Sequence, residues 1–178
     1  TEDGEIIESG MAYIESCVGW CKKHGLNIVI DLHKTCGYIF DDPSYCGFFG
    51  NEKLQDQFVY LWQEIARRYG NDSHIAFELL NEITSADFTD SWNKIASRTV
   101  KEIRKIAPDT KIVLGGIFNS SIYGLTLLDI DWDENIVLTF HCYNPLVFTH
   151  QGAGWVDRLD KSYRTKFPAT AEKQKIFR

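Results

Sequence analysis

Three stretches of this chain end in residues able to move or hold a proton. Ile75 to Glu82, IAFELLNE, is an apolar run that closes on an amide and a carboxylate, Asn81 and Glu82. Such a run predicts a buried strand that delivers polar groups at its C-terminal end. A carboxylic acid held there among aromatics is desolvated, which suits a proton donor near neutral pH. The same Glu would equally serve as one partner of an ordinary strand-end salt bridge. Asn81 and Glu82 are neighbours, so a regular strand would send them to opposite faces, and both reach one site only at a kink or at a barrel rim. Asn27 to His33, NIVIDLH, ends in Asp31 and His33, and Ile136 to Pro145, IVLTFHCYNP, carries His141 and Tyr143. Each pair is two residues apart, hence on one side of its strand end. Either pair could orient a carboxylate or contact a hydroxylated ligand, or could be a satisfied hydrogen-bonded couple.

The elements that must position these residues alternate. Met11, Ile14, Cys17, Val18 and Cys21 keep one face of a helix, with Gly25 available for the left-handed position after its end. Leu54, Phe58, Leu61, Trp62, Ile65 and Tyr69 form a second stripe, stopped by Gly70. Trp92, Ile95, Ala96, Thr99 and Ile103 form a third, stopped before Pro108. A shorter helical segment is expected near Tyr123 to Leu128. The predicted strands, NIVIDLH, IAFELLNE, KIVLGG and IVLTFHCYNP, are read as continuously buried. Helices alternating with buried strands imply an α/β fold with a parallel sheet. The glycine-rich turn of a dinucleotide-binding fold is missing, and polar residues end three of the four strands. A (β/α) barrel with its site at the C-terminal face is therefore favoured over an open doubly wound sheet. Four strands cannot close an eight-stranded barrel, so residues 1–178 are expected to form one partial barrel domain.

Bulk properties restrict the function classes. The chain has 178 residues, 44% of them hydrophobic, and a net charge of -6 with scattered basic residues. That pattern offers no footprint for nucleic acid or an anionic membrane surface. No apolar run is long enough to span a bilayer, and TEDGEIIESG is acidic where a signal peptide would be basic and then apolar. The chain is expected to be soluble, with secreted and cytoplasmic locations both open. Five cysteines, Cys17, Cys21, Cys36, Cys46 and Cys142, are an odd number and are expected to be buried free thiols. His24, His33, Cys36 and Cys46 match no close paired-ligand pattern, so no metal is expected, and no serine elbow or phosphate loop is present. No cofactor is called for. The long loop from Lys34 to Asn51, rich in Gly, Pro and aromatics, is expected to bind something.

VIDLHK, IAFELLNE and FHCYNPLVFTHQGAGW, in this order and at these separations, resemble glycoside hydrolase family 5, and within it the clostridial endoglucanase C type. The resemblance runs from about Glu5 to about Pro168. It implies a (β/α)8 barrel of TIM type, of which this chain would hold about four central β/α units, the family's strands three to six. It further implies hydrolysis of β-1,4 or mixed-linkage glucan with retention of configuration by a pair of glutamates. On that basis Glu82 would be the general acid/base, Asn81 would contact the sugar 2-hydroxyl, His33 would line the site, and His141 with Tyr143 would position the nucleophile. Trp155 and the loop aromatics would stack on sugar rings.

The family's nucleophilic glutamate belongs to a seventh strand, for which this sequence offers no match. Glu172 is the only Glu after the His141 and Tyr143 pair, but TAEKQKIF does not read as a buried strand, so no nucleophile is assigned. The chain alone is accordingly expected to be inactive, with exposed barrel edges that favour self-association. Two alternatives stay open: β-mannan hydrolysis, and a non-catalytic sugar-binding or structural remnant.

Overall fold

A computed structural model of the protein describes residues 4–166. The chain divides into two units after Phe140.

The first unit is built from helix, strand, helix, strand, as the periodicities require. Helix α1 (Glu8–Lys23) buries Met11 and Val18. It ends with Gly25 at φ +65, where the Gly25 and Leu26 amides donate back to the carbonyls of Lys22 and Cys21. These two bonds satisfy carbonyls that the helix leaves open, and the left-handed residue they need is one that glycine adopts without strain. Strand β1 (Ile28–Asp31) follows, then α2 (Glu52–Tyr69), β2 (Ile75–Glu78), α3 (Thr89–Arg104) and β3 (Lys111–Gly115). A one-turn helix, Ile122–Leu125, and β4 (Ile136–Thr139) complete the unit. The Asn51 side chain caps α2 by accepting from the Leu54 amide.

The four strands are parallel in the order β1-β2-β3-β4, with Val29 beside Ala76, Glu78 beside Val113 and Val113 beside Val137. Both predicted crossover helices lie between the strands they connect. Their predicted apolar stripes face the core: Phe58, Trp62 and Ile65 of α2 and Trp92, Ile95, Ala96, Thr99 and Ile103 of α3 are buried. Two tryptophans also hold strand ends. Trp62 Nε1 donates to the Leu79 carbonyl at 3.1 Å, and Trp92 Nε1 donates to the Gly115 carbonyl at 3.3 Å. Gly70 lets α2 end against the α3–β3 connection, since a Cβ there would lie 2.3 Å from the Ala107 Cβ.

Two expectations are corrected. The strands are not buried throughout. β2 and β3 bury their helix-facing residues, whereas β1 and β4 leave Val29, Val137 and Leu138 exposed, because each is an edge strand of a sheet that does not close on itself. The free cysteines are not buried either: Cys21 is half-buried and the other four are exposed. On α1 the covered stripe runs through Met11, Ile14, Val18 and Cys21, and Cys17 sits at its margin. The long loop places much of its aromatic content in the core. Tyr38, Phe48 and Phe49 are buried, Phe49 stacks on Phe88 with centroids 4.2 Å apart, and Phe48 packs on Phe58 at 5.3 Å. Only part of that loop, Tyr45 included, faces solvent.

The second unit begins at His141 and contains a one-turn helix, Leu146–Thr149, followed by turns. Gln151 organises it, donating to the Phe148 carbonyl and accepting from the Thr165 amide. Glu172 lies outside the described residues.

Candidate active site

β2 stops hydrogen bonding as a strand at Glu78, and the chain then bends through Leu79 to Glu82. Leu79 and Leu80 are buried, so this bend is part of the core. At its end Glu82 has φ +34, a left-handed value that a residue with a Cβ adopts only under constraint. This is the kink that the adjacent positions of Asn81 and Glu82 demand. Asn81 is buried and Glu82 half-buried.

Asn81 is tied to β1 twice. Its amide donates to the Leu32 carbonyl at 3.3 Å, and its Nδ2 lies 3.5 Å from His33 Nε2. The other ring nitrogen, His33 Nδ1, is 2.7 Å from Asp31 Oδ2. With the proton on Nδ1 the ring donates to Asp31 and leaves Nε2 to accept from Asn81, so the three side chains form one directed chain. Phe40 packs edge-on against the imidazole at 5.2 Å. The Asp31 and His33 pair is a hydrogen-bonded couple whose far nitrogen faces Asn81.

Glu82 is held by two residues that the sequence patterns did not single out. Tyr38, buried in the long loop, donates from its hydroxyl to the Glu82 carbonyl at 2.7 Å and accepts from the Thr84 amide at 3.1 Å. Burial pushes the Tyr38 phenol above its ordinary range, so it remains a donor across neutral pH. Asn119, which follows β3, places Nδ2 3.4 Å from Glu82 Oε2, and its backbone amide donates to the Ile83 carbonyl at 2.9 Å.

The Asn119 segment has an unusual backbone. Phe118, Asn119 and Ser120 have φ values of 57, 55 and 54, a left-handed turn with no glycine in it. Each such residue costs about 1–2 kcal/mol, less for Asn. Phe118 stacks on Tyr123 at the surface, with centroids 5.9 Å apart. No hydrophobic periodicity or short motif marks a left-handed turn, so the sequence carries no signal for Asn119 beyond the Gly115–Gly116 pair ahead of it.

In the second unit His141 and Tyr143 meet edge to face at 6.3 Å, and Tyr143 meets His150 at 5.1 Å. Thr149 Oγ1 donates to the Tyr143 carbonyl at 2.6 Å. His141 and Tyr143 are thus in ring contact, and His150 is a further neighbour of Tyr143. Trp155 is 81% exposed. Among the described residues no three His, Cys, Asp or Glu side chains gather as a metal-ligand set, and no helix is long and apolar enough to cross a membrane.

The family model described as cellulase (glycosyl hydrolase family 5) matches residues 1–176. The chain belongs to glycosyl hydrolase family 5. Among curated relatives of this family 5 chain, cellodextrinase A of Ruminococcus flavefaciens is 45% identical over 178 residues, covering 98% of this chain and 53% of that protein. Endoglucanase C of Acetivibrio thermocellus is 43% identical over 172 residues, 95% of this chain and 50% of that protein. The chain spans about half the length of the curated relatives it matches. Among solved structures, the cellulose synthase subunit Z of Clostridioides difficile superposes with a TM-score of 0.80 at 27% identity, over 99% of this chain and 56% of that one. An endoglucanase of the hyperthermophile Thermotoga maritima does so with a TM-score of 0.73 at 30% identity, over 86% and 48%. The four parallel β/α units of this family 5 chain are accordingly part of a (β/α) barrel of TIM type. In such barrels the ends of the strands at which Asp31, Asn81, Glu82 and Asn119 cluster form the catalytic face.

Proposed function

We propose that this chain carries the acid/base half of a retaining β-glucan hydrolase site, with Glu82 as the group that moves the proton. The observation that carries this is the backbone of Glu82: a half-buried glutamate at φ +34 on the catalytic face, clasped through its carbonyl by Tyr38. Strain of that kind persists where the surroundings enforce it, and it recurs at catalytic positions.

In the proposed reaction protonated Glu82 gives its proton to the glycosidic oxygen as the bond to the anomeric carbon breaks. A second carboxylate attacks that carbon and forms a glycosyl ester. Glu82, now a carboxylate, takes a proton from the water that releases the sugar. Asn81, aimed by His33 and Asp31, donates to the sugar hydroxyl beside the anomeric carbon. His141 and Tyr143 orient the nucleophile, and Trp155 stacks on a sugar ring. Retention requires the two carboxyl groups roughly 5 to 5.5 Å apart. The family resemblance assigns the nucleophile to a strand beyond the four described here, so we expect the 178 residues alone to be inactive, and the natural product that contains them to hydrolyse β-1,4-glucan.

The test compares the chain with its full-length natural product on carboxymethylcellulose and lichenan, each with Glu82 intact and as Glu82→Gln. The full-length enzyme should lose about 10²- to 10⁴-fold in kcat on substitution, and the chain alone should show no turnover. Ordinary turnover by the chain alone, abolished by Glu82→Gln, would overturn the half-site assignment. A full-length protein that binds cello-oligosaccharides without cleaving them would establish the non-catalytic alternative. A β-mannan substrate is the second reading within the family. It is favoured by the Thermotoga maritima enzyme, 27% identical to this chain, which has been solved with mannotriose as well as with cellobiose. Relative kcat/KM on mannan and lichenan separates the two.

A further inference from the structure

We propose that Asn119 is a positioning residue for Glu82, and that the left-handed turn 118–120 exists to aim its amide at that carboxyl group. This rests on the assignment of Glu82 as acid/base.

Three observations carry it. The first is that the turn cannot relax. Ser120 is buried against β3, so close that a Cβ on Gly115 would lie 2.5 Å from Ser120 Oγ. On the far side, a Cβ on Gly116 would lie 2.3 Å from the Gly124 backbone, and one on Gly124 would lie 2.0 Å from the Ile117 carbonyl oxygen. The turn is thus pinned at its end by the Ser120 side chain against Gly115, and at its start by backbone-on-backbone packing of Gly116 and Ile117 on Gly124, so the left-handed residues between them are imposed by their surroundings. The second is that the turn is docked onto the acid's own segment, through the Asn119 amide and the Ile83 carbonyl. The third is that the Asn119 side chain is exposed and fills no part of the core, yet its Nδ2 faces Glu82 Oε2 at 3.4 Å. A contact of that length in the free protein is of the kind that shortens once substrate is bound.

The residue type fits the role. An acid/base glutamate is protonated in the first half of the reaction and ionised in the second, and its neighbour must suit both states. A neutral amide N–H donates to a carboxyl oxygen in either state. A lysine would hold the carboxylate ionised, and an aspartate would repel it. Asn is also, with Asp, the non-glycine residue best able to adopt the left-handed conformation.

The test is Asn119→Gly in the full-length natural product, because glycine keeps the left-handed turn and removes only the donor. Two substrates are compared: an unactivated cello-oligosaccharide, whose leaving group needs the proton, and dinitrophenyl cellobioside, whose leaving group departs without it. The kcat on the oligosaccharide should fall about tenfold with KM nearly unchanged, while kcat/KM on the dinitrophenyl glycoside, which reads only the cleavage step and not the base-assisted release, should stay within about twofold, and selectivity is judged on kcat/KM for every variant. Asn119→Asp, which also preserves the turn, should lose more on the oligosaccharide. Equal losses on both substrates, or none on either, would overturn the proposal. Glu82→Gln is run alongside. If it shows the selective loss and Asn119→Gly does not, only the Asn119 assignment falls. If Glu82→Gln is not selective, the acid/base assignment itself falls.

Discussion

At the scale of single residues, the adjacent side chains Asn81 and Glu82 are supported from different directions. Asn81 leans on β1 through His33 and Asp31, and Glu82 is held by Tyr38 and Asn119. The two supports should therefore fail independently. Asp31→Asn removes the charged acceptor that fixes the His33 ring, both residues lying near the surface. The full-length enzyme should lose about tenfold in kcat/KM on lichenan while its melting temperature stays put, as activity and calorimetric measurements on the same preparation would show. Tyr38→Phe acts differently, because it leaves the Glu82 carbonyl and the Thr84 amide without their shared partner inside the fold. It should cost about 1–3 kcal/mol of stability, measured by urea unfolding, besides the activity lost with Glu82. The sequence made Asp31, His33, Asn81 and Glu82 legible because strand-end polar residues interrupt apolar runs. Tyr38 was not legible, since an aromatic in a glycine-rich loop has the same composition whether it faces a ligand or the core.

At the scale of elements, the three long helices and four strands follow from periodicity, and the stripes of α2 and α3 are largely the ones buried. The strands are shorter than the hydrophobic runs that contain them, since a run such as IAFELLNE stays buried after its ladder ends at Glu78. Burial does not distinguish a strand from the buried bend that follows it. The helices also act on the sheet by hydrogen bonds. Trp62→Phe keeps most of the ring in place but orphans the Leu79 carbonyl, and should destabilise by about 1–3 kcal/mol in denaturant titrations. A second tie joins α3 to the segment before β4. Arg104 grips Asp133 through Nε at 2.6 Å and Nη2 at 3.0 Å, while its Nη1 donates to the Thr110 carbonyl. The Arg104 guanidinium, with the Asn135 amide, holds the Asp133 carboxyl below its ordinary value. A carboxyl whose pKa is depressed by folding stabilises above its unfolded value, about 4, and loses that contribution as the pH falls through the folded value. Asp133→Asn should therefore be less stable than the parent by about 1 kcal/mol at pH 7, and the difference should shrink in unfolding curves taken below about pH 4.

At the scale of the whole molecule, β1 and β4 are the outer strands of the first unit's sheet among the described residues, and apolar side chains lie exposed on or beside them: Val29 on β1, Val137 and Leu138 on β4, and Phe140 just beyond. Edges of that composition recruit other strands. The isolated chain is expected to self-associate with rising concentration in sedimentation velocity, and a monomer that melts in one sharp transition would contradict this. Barrel type could be inferred from the order of elements, whereas the division after Phe140 could not, because the hydrophobic run of IVLTFHCYNP continues across it. The Tyr38 hydroxyl has one further consequence. It spans 46 positions to reach the Thr84 amide, so that amide is shielded only when the loop after β1 and the bend after β2 are both in place. Thr84 should thus exchange its amide hydrogen with solvent deuterium only through openings that also release Glu82, and its protection factor becomes a direct gauge of how often Glu82 is out of position.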